Sequence, residues 1–67
     1  MTQERAYKQA LESFDIEDLN MYEKVQFEIL TNSMSKFDAL NRIIEEASFE
    51  EDLNPALAEI ALTYEKF

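Results

Sequence analysis

The chain has 67 residues, and its 15 acidic and 6 basic side chains give a formal net charge of -9. A hydrophobic content of 46% is enough to build a core, which excludes a disordered acidic tail and leaves room for one small domain. Because Cys and His are absent, disulfides, thiolate and imidazole chemistry, and nearly all zinc or haem ligation are excluded, and most enzyme mechanisms with them.

The first predicted helix runs from about residue 3 to residue 14, with Thr2 as its N-cap. Its apolar residues recur at helical spacing and share one face: Ala6, Tyr7, Ala10, Leu11 and Phe14. Polar residues occupy the opposite face, so this helix is amphipathic and is expected to bury one side.

The second predicted helix begins after Asn20, where Glu23 completes a capping box, and it extends to about Thr31. It has two apolar patches, one formed by Phe27 and Leu30 and the other by Met21, Tyr22, Val25 and Ile29. We expect Phe27 and Leu30 to form an intermolecular contact, because a pair of exposed apolar side chains on a helix usually marks a partner site. The alternative is that a four-helix core surrounds this helix on both sides.

Two further helices follow a polar segment in which Ser35 offers a new N-cap. The third helix is predicted to end near Ala47 and carries an apolar stripe of Phe37, Leu40, Ile43, Ile44 and Ala47. The fourth starts at Asn54-Pro55, and its inner face holds Ala56, Leu57, Ile60, Ala61, Tyr64 and Phe67, while Leu62 points away.

These elements predict an all-α fold in which residues 1–67 form a single acidic domain. Two helical hairpins, at about 2–31 and 35–67, make a small four-helix bundle-like arrangement. A chain this short buries only about 60% of the surface that its unfolded form exposes, less than a larger domain does, and it has no disulfide to stabilise it, so we expect a homo-oligomer to complete the fold.

A near duplication links the two hairpins. The segment Ser-Phe-Asp-Ile-Glu-Asp-Leu-Asn at 13–20 recurs, with one residue deleted, as Ser-Phe-Glu-Glu-Asp-Leu-Asn at 48–54. Each copy joins two predicted helices, and we call these segments the first joint and the second joint. In an up-and-down topology the two joints lie at the same end of the bundle.

Six acidic residues in the joints are candidate partner-binding residues: Asp15, Glu17, Asp18, Glu50, Glu51 and Asp52. One interpretation is that these acids are solvated surface while Leu19 and Leu53 fill gaps and Phe14 and Phe49 close helix ends. The other is that the repeated acidic joint is a binding epitope used twice, since carboxylates gathered at one end attract a cationic partner.

These features favour a non-catalytic protein–protein interaction module, a small acidic regulator or inhibitor that binds a basic partner protein. One alternative is a DNA mimic whose carboxylates occupy the basic groove of a nucleic-acid-binding protein. Another is a structural subunit of a larger phage or bacterial assembly, in which an apolar patch is permanently buried.

The remaining expectations are absences. We expect no metal or cofactor, because an EF-hand loop requires Gly and helical di-iron sites require Glu-x-x-His, and the chain has neither Gly nor His. The negative charge opposes direct binding to nucleic acid or to a membrane surface. The sequence contains no signal-peptide pattern or membrane span, and we expect a cytoplasmic location.

Overall fold

The computed structural model describes residues 2–47 and 49–66 and confirms the all-α fold class. The helices of the described part are α1 (Thr2–Glu12), α2 (Met21–Leu30), α3 (Lys36–Glu46) and α4 (Pro55–Thr63). Each joint contains a short 3-10 turn, at Ile16–Asp18 in the first and at Glu50–Asp52 in the second. Phe67, predicted for the inner face of the last helix, lies outside the described residues, as do Ser48 and the Glu50 side chain.

Three of the predicted helix starts are confirmed, because each N-cap side chain accepts a hydrogen bond from the backbone N–H of the third helical residue. The oxygen-to-nitrogen distances are 2.8 Å at Asn20, 3.2 Å at Ser35 and 2.9 Å at Asn54. Pro55 is the first residue of α4, where its missing N–H costs nothing. These caps satisfy backbone donors that have no partner within the helix.

The outer ends of α1 and α4 differ from the simple prediction. Thr2 is already the first residue of α1 and not its N-cap. The end of α4 is a Schellman motif, in which Lys66 N–H donates to the Ala61 carbonyl at 2.8 Å and Glu65 N–H donates to the Leu62 carbonyl at 3.1 Å. Glu65 has a φ of 59°, in the left-handed region that glycine usually occupies at this position.

Helix α3 lies at the centre of the fold and packs against α1, α2 and α4, while α1 also packs against α4. These contacts are compatible with a helix bundle. The two helices of the first predicted hairpin, α1 and α2, both pack against α3, and α1 buries its apolar face against α3 and α4. The core is formed by these buried residues: Tyr7, Leu11, Phe14, Leu19, Leu40, Ile43, Ile44, Leu53, Leu57, Ala58 and Ala61.

An aromatic cluster joins α1, the start of α3 and the end of α4. Tyr7 is 4% exposed and packs edge-on against Phe37 at 5.8 Å and Tyr64 at 5.7 Å between ring centroids. Its hydroxyl donates to Asn41 Oδ1 at 2.6 Å, which ties α1 to α3. Burial raises the pKa of Tyr7 to about 12, and the negative charge of Glu45 contributes in the same direction.

Candidate partner-binding surface

The buried carboxylate of Glu23, which is 2% exposed, brings the two joints together. Its Oε1 accepts hydrogen bonds from Asn20 N at 3.0 Å and from Asn54 Nδ2 at 2.6 Å, and its Oε2 accepts one from Asn54 N at 3.1 Å. Charge-assisted hydrogen bonds and the positive N-terminal ends of α2 and α4 offset the cost of burying this charge. The two joints therefore end side by side.

The acids of the first joint are on the surface. Asp15, Glu17 and Asp18 are all exposed. The Asp15 side chain accepts a hydrogen bond from Glu17 N at 3.0 Å and caps the 3-10 turn, so part of its role is structural. Glu17 pairs with Lys24 at 3.2 Å, an exposed ion pair of small energetic weight.

The second joint presents Glu51 and Asp52 to solvent. Asp52 Oδ2 accepts a hydrogen bond from Phe49 N at 3.2 Å, and this bond closes the turn. The Glu50 side chain lies outside the described part of the chain. With the first joint, five described carboxylates therefore lie on the surface of the two neighbouring joints.

The aromatic residues of the two joints have different environments, contrary to the interpretation in which both close a helix end. Phe14 is 7% exposed and belongs to the core, whereas Phe49 is 66% exposed. The deleted residue explains the difference. Counting back from the Asn caps, Phe49 lies one position closer to its cap than Phe14 does, so its side chain leaves the chain in another direction.

The structure differs from the prediction in which side of α2 is exposed to solvent. Phe27 and Leu30, predicted to contact a partner, are partly buried and pack against the core. They lie on the same side of the helix as Glu23, and the hydrogen bonds that Glu23 accepts from Asn54 hold that side inward. The prediction that Phe27 and Leu30 are exposed is therefore wrong, and the other apolar patch faces solvent.

The exposed patch, which we call the α2 face, consists of four residues. Their exposed fractions are 80% for Met21, 72% for Tyr22, 53% for Val25 and 61% for Ile29. They fall within an arc of about 100° and extend for about 12 Å along the helix. Gln26 Nε2 donates to the Tyr22 hydroxyl at 3.3 Å beside this patch. Apolar side chains grouped in this way on a soluble helix usually mark a contact site.

A groove of about 270 Å³ runs beside the α2 face, between α2, the C-terminal end of α3 and the second joint. Ile43, Ala47 and Leu53 form its apolar part. Tyr22, which belongs to the α2 face, also lines the groove, and so do the acidic residues Glu46 and Asp52. The apolar patch and the second joint therefore meet in one continuous surface.

The described residues contain no group of three or more acidic side chains arranged to hold a metal ion. In the same ranges, no helix combines the length and the apolar composition needed to cross a bilayer. Comparisons with protein-family models, with curated proteins and with solved structures returned no significant match.

The sequence predicts that Asn20 and Asn54 cap α2 and α4, and that Glu23 completes the cap of α2. It does not predict that Glu23 also binds Asn54 at the start of α4. A signal for it exists in the repeat, since the residue that corresponds to Glu23 in the second copy is Leu57. Asn54 therefore has no acid of its own at the third helical position, and a carboxylate from elsewhere can take that place. The same contact fixes the rotation of α2 and decides which of its sides is exposed.

Proposed function

We propose that this protein is a non-catalytic protein-binding module that binds a basic partner protein through the α2 face. The observation that carries this proposal is the exposure of four apolar side chains on one helix, Met21, Tyr22, Val25 and Ile29. Covering them would remove apolar surface from water, the main favourable term in most protein associations.

Charge supports a basic partner. The chain has a net charge of -9, and the exposed acids of both joints lie at the end of the molecule where α2 begins. Such a field accelerates encounter with a positively charged surface and disfavours acidic competitors. A partner whose own working surface is covered in this way is inhibited or regulated by the contact.

A role as a structural subunit of a larger assembly is a second candidate, and the same exposures favour it. Met21 and Tyr22 are more than two-thirds exposed, which suits a surface that is permanently covered by a neighbour. The two roles differ in salt dependence, because a permanent apolar interface persists at high salt, whereas an electrostatically assisted one weakens.

The test is affinity capture from a lysate of the source cells with three tagged proteins: the unmodified chain, Ile29→Ser on the α2 face, and Leu62→Ser as a matched control. Leu62 is also an exposed aliphatic residue, 45% against 61% for Ile29, but it lies on α4. A protein captured by the first and third baits and lost with Ile29→Ser is then purified and titrated directly at low and high salt.

We expect that protein to be basic and to bind more weakly as salt rises. An equal loss with Leu62→Ser, or an acidic partner, contradicts the proposal. Persistence at high salt, with aggregation of the isolated chain, supports the assembly subunit instead. Competition by double-stranded DNA for the captured protein would support DNA mimicry, which uses the same carboxylates.

A further inference from the structure

We infer that the groove beside the α2 face receives a lysine or arginine side chain from an amphipathic partner helix that packs along α2. This inference rests on the proposed function and specifies the partner's chemistry. The α2 face is two helical turns long and continues into the groove through Tyr22. A helix is the element that covers such a stripe most completely, because apolar residues at i, i+3, i+4 and i+7 present a matching stripe.

The groove suits a long cationic side chain for two reasons that act on different parts of it. Its apolar part, formed by Ile43, Ala47 and Leu53, can cover the aliphatic stem of a lysine or arginine. The carboxylates of Glu46 and Asp52, on two different elements that line the groove, can pair with the cationic head group.

The end of α3 adds to this preference for a cation. Glu46 is the last residue of the helix, where the helix dipole already contributes negative charge, and the last turn contains no basic residue. Arg42 approaches Glu46 at 3.7 Å, but both side chains are about half exposed, so this pair neutralises the site only weakly. A cationic group bound in the groove removes an unfavourable arrangement of like charges.

Charge also favours a basic helix over a second copy of this chain. A second copy would add another net charge of -9 at an end that already carries the exposed acids of both joints. A second copy of this chain is nevertheless the competing occupant of the α2 face, and the experiment must distinguish it from a basic partner helix.

The probe is a synthetic, fluorescently labelled peptide of leucine and lysine with helical amphipathic spacing, and its control is the same peptide with glutamate in place of lysine. Three variants are titrated beside the unmodified protein. The groove variant is Glu46→Gln with Asp52→Asn, the charge control is Glu4→Gln with Glu59→Gln, and the face variant is Ile29→Ser. The two double variants each remove two of the nine net negative charges, so non-specific attraction changes equally.

We expect the lysine peptide to bind and the glutamate peptide not to bind. The groove variant should weaken binding about tenfold and the charge control about twofold. Amide chemical shifts of Ile43, Ala47 and Leu53 should change on titration with the lysine peptide, and in the groove variant the same changes should require about tenfold more peptide.

Equal weakening by the groove variant and the charge control overturns the groove assignment, while a loss with Ile29→Ser in the same series leaves the proposed function standing. Indifference to Ile29→Ser overturns both. Sedimentation equilibrium of the protein alone is the last arm. A dimer that dissociates with Ile29→Ser and does not bind the lysine peptide identifies a second copy as the occupant and overturns the inference.

Discussion

The two joints have nearly the same residues and the same backbone plan, but they have different environments. Each contains a 3-10 turn, followed by a buried leucine and an asparagine that caps the next helix. Phe14 is nevertheless in the core while Phe49 is exposed. The start of α2 has its own capping acid, Glu23. The start of α4 has Leu57 at the corresponding position, and its cap, Asn54, binds the carboxylate of Glu23 instead.

This difference shows that a repeat can specify local structure twice without repeating the packing around it. Leu57 is fully buried and contributes to the core from the position where a second acid would stand. One shared carboxylate therefore satisfies the backbone N–H groups of both asparagine caps and leaves the equivalent position in α4 free for hydrophobic packing.

The largest expected contrast is between the two phenylalanines. Phe14→Ala should lower the free energy of unfolding by about 3–5 kcal/mol, because it leaves a cavity in the core, whereas Phe49→Ala should change it by less than about 0.5 kcal/mol. Urea unfolding followed by circular dichroism measures both. Similar losses in the two variants would mean that the joints are equivalent after all.

Removal of the shared carboxylate should affect both helix starts at once. Glu23→Ala leaves the backbone N–H of Asn20 and the two buried donors of Asn54 without this acceptor, and we expect a loss of about 3–4 kcal/mol in the free energy of unfolding. Glu23→Gln keeps the shape and one acceptor oxygen, so it should lose less and remain folded. A loss in Glu23→Ala no larger than that of an ordinary capping residue, about 1 kcal/mol, would rule out the shared role.

The two caps should also differ from each other. Asn20→Ala should cost about 1 kcal/mol, as a typical N-cap does, while Asn54→Ala should cost about 2–3 kcal/mol because it also removes the side-chain donor to Glu23. A double-mutant cycle between Glu23 and Asn54 should give a large coupling energy. A control cycle between Asn20 and Glu51, which are not hydrogen-bond partners, should give a smaller one. Equal costs at the two asparagines would contradict the asymmetry.

Local signals in the sequence predict the helices and their caps, because each depends on residues within one or two turns. Asn20 with Glu23 and Asn54 with Pro55 are examples, and the structure confirms both. Which side of α2 is exposed depends instead on the contact between Glu23 and Asn54, residues 31 positions apart. Helical spacing shows that α2 has two apolar sides but contains no information on that contact, so it does not show that the side with Phe27 is the partly buried one.

The buried Tyr7 of α1, which packs against Tyr64 at the end of α4, should make the free energy of unfolding fall at high pH. An unfolded tyrosine ionises near pH 10, and burial raises the pKa of Tyr7 to about 12, so ionisation favours the unfolded chain. The contribution of the neutral Tyr7 side chain to the free energy of unfolding is fully present below about pH 10 and is lost as the pH rises through about 12. Between about pH 9 and 11, the stability difference between the unmodified protein and Tyr7→Phe should shrink by about 1–2 kcal/mol. A difference that stays constant over this range would contradict the burial argument.

The smallest expected effect concerns the two ends of α4. Its start fits the sequence, with Asn54 and Pro55 in favoured positions, whereas its end places Glu65 at a φ of 59° in a chain that has no glycine. Glu65→Gly should raise the free energy of unfolding by about 0.5–1 kcal/mol, because glycine adopts this conformation without the steric cost of a Cβ, although it loses more entropy on folding. Glu65→Ala is the matched control: it removes the same charge but keeps the Cβ, so it should not share the gain. Thermal and urea unfolding of the three proteins separate the two effects. If alanine stabilises as much as glycine, the benefit comes from the lost negative charge, and the left-handed backbone at the end of α4 is not a source of strain.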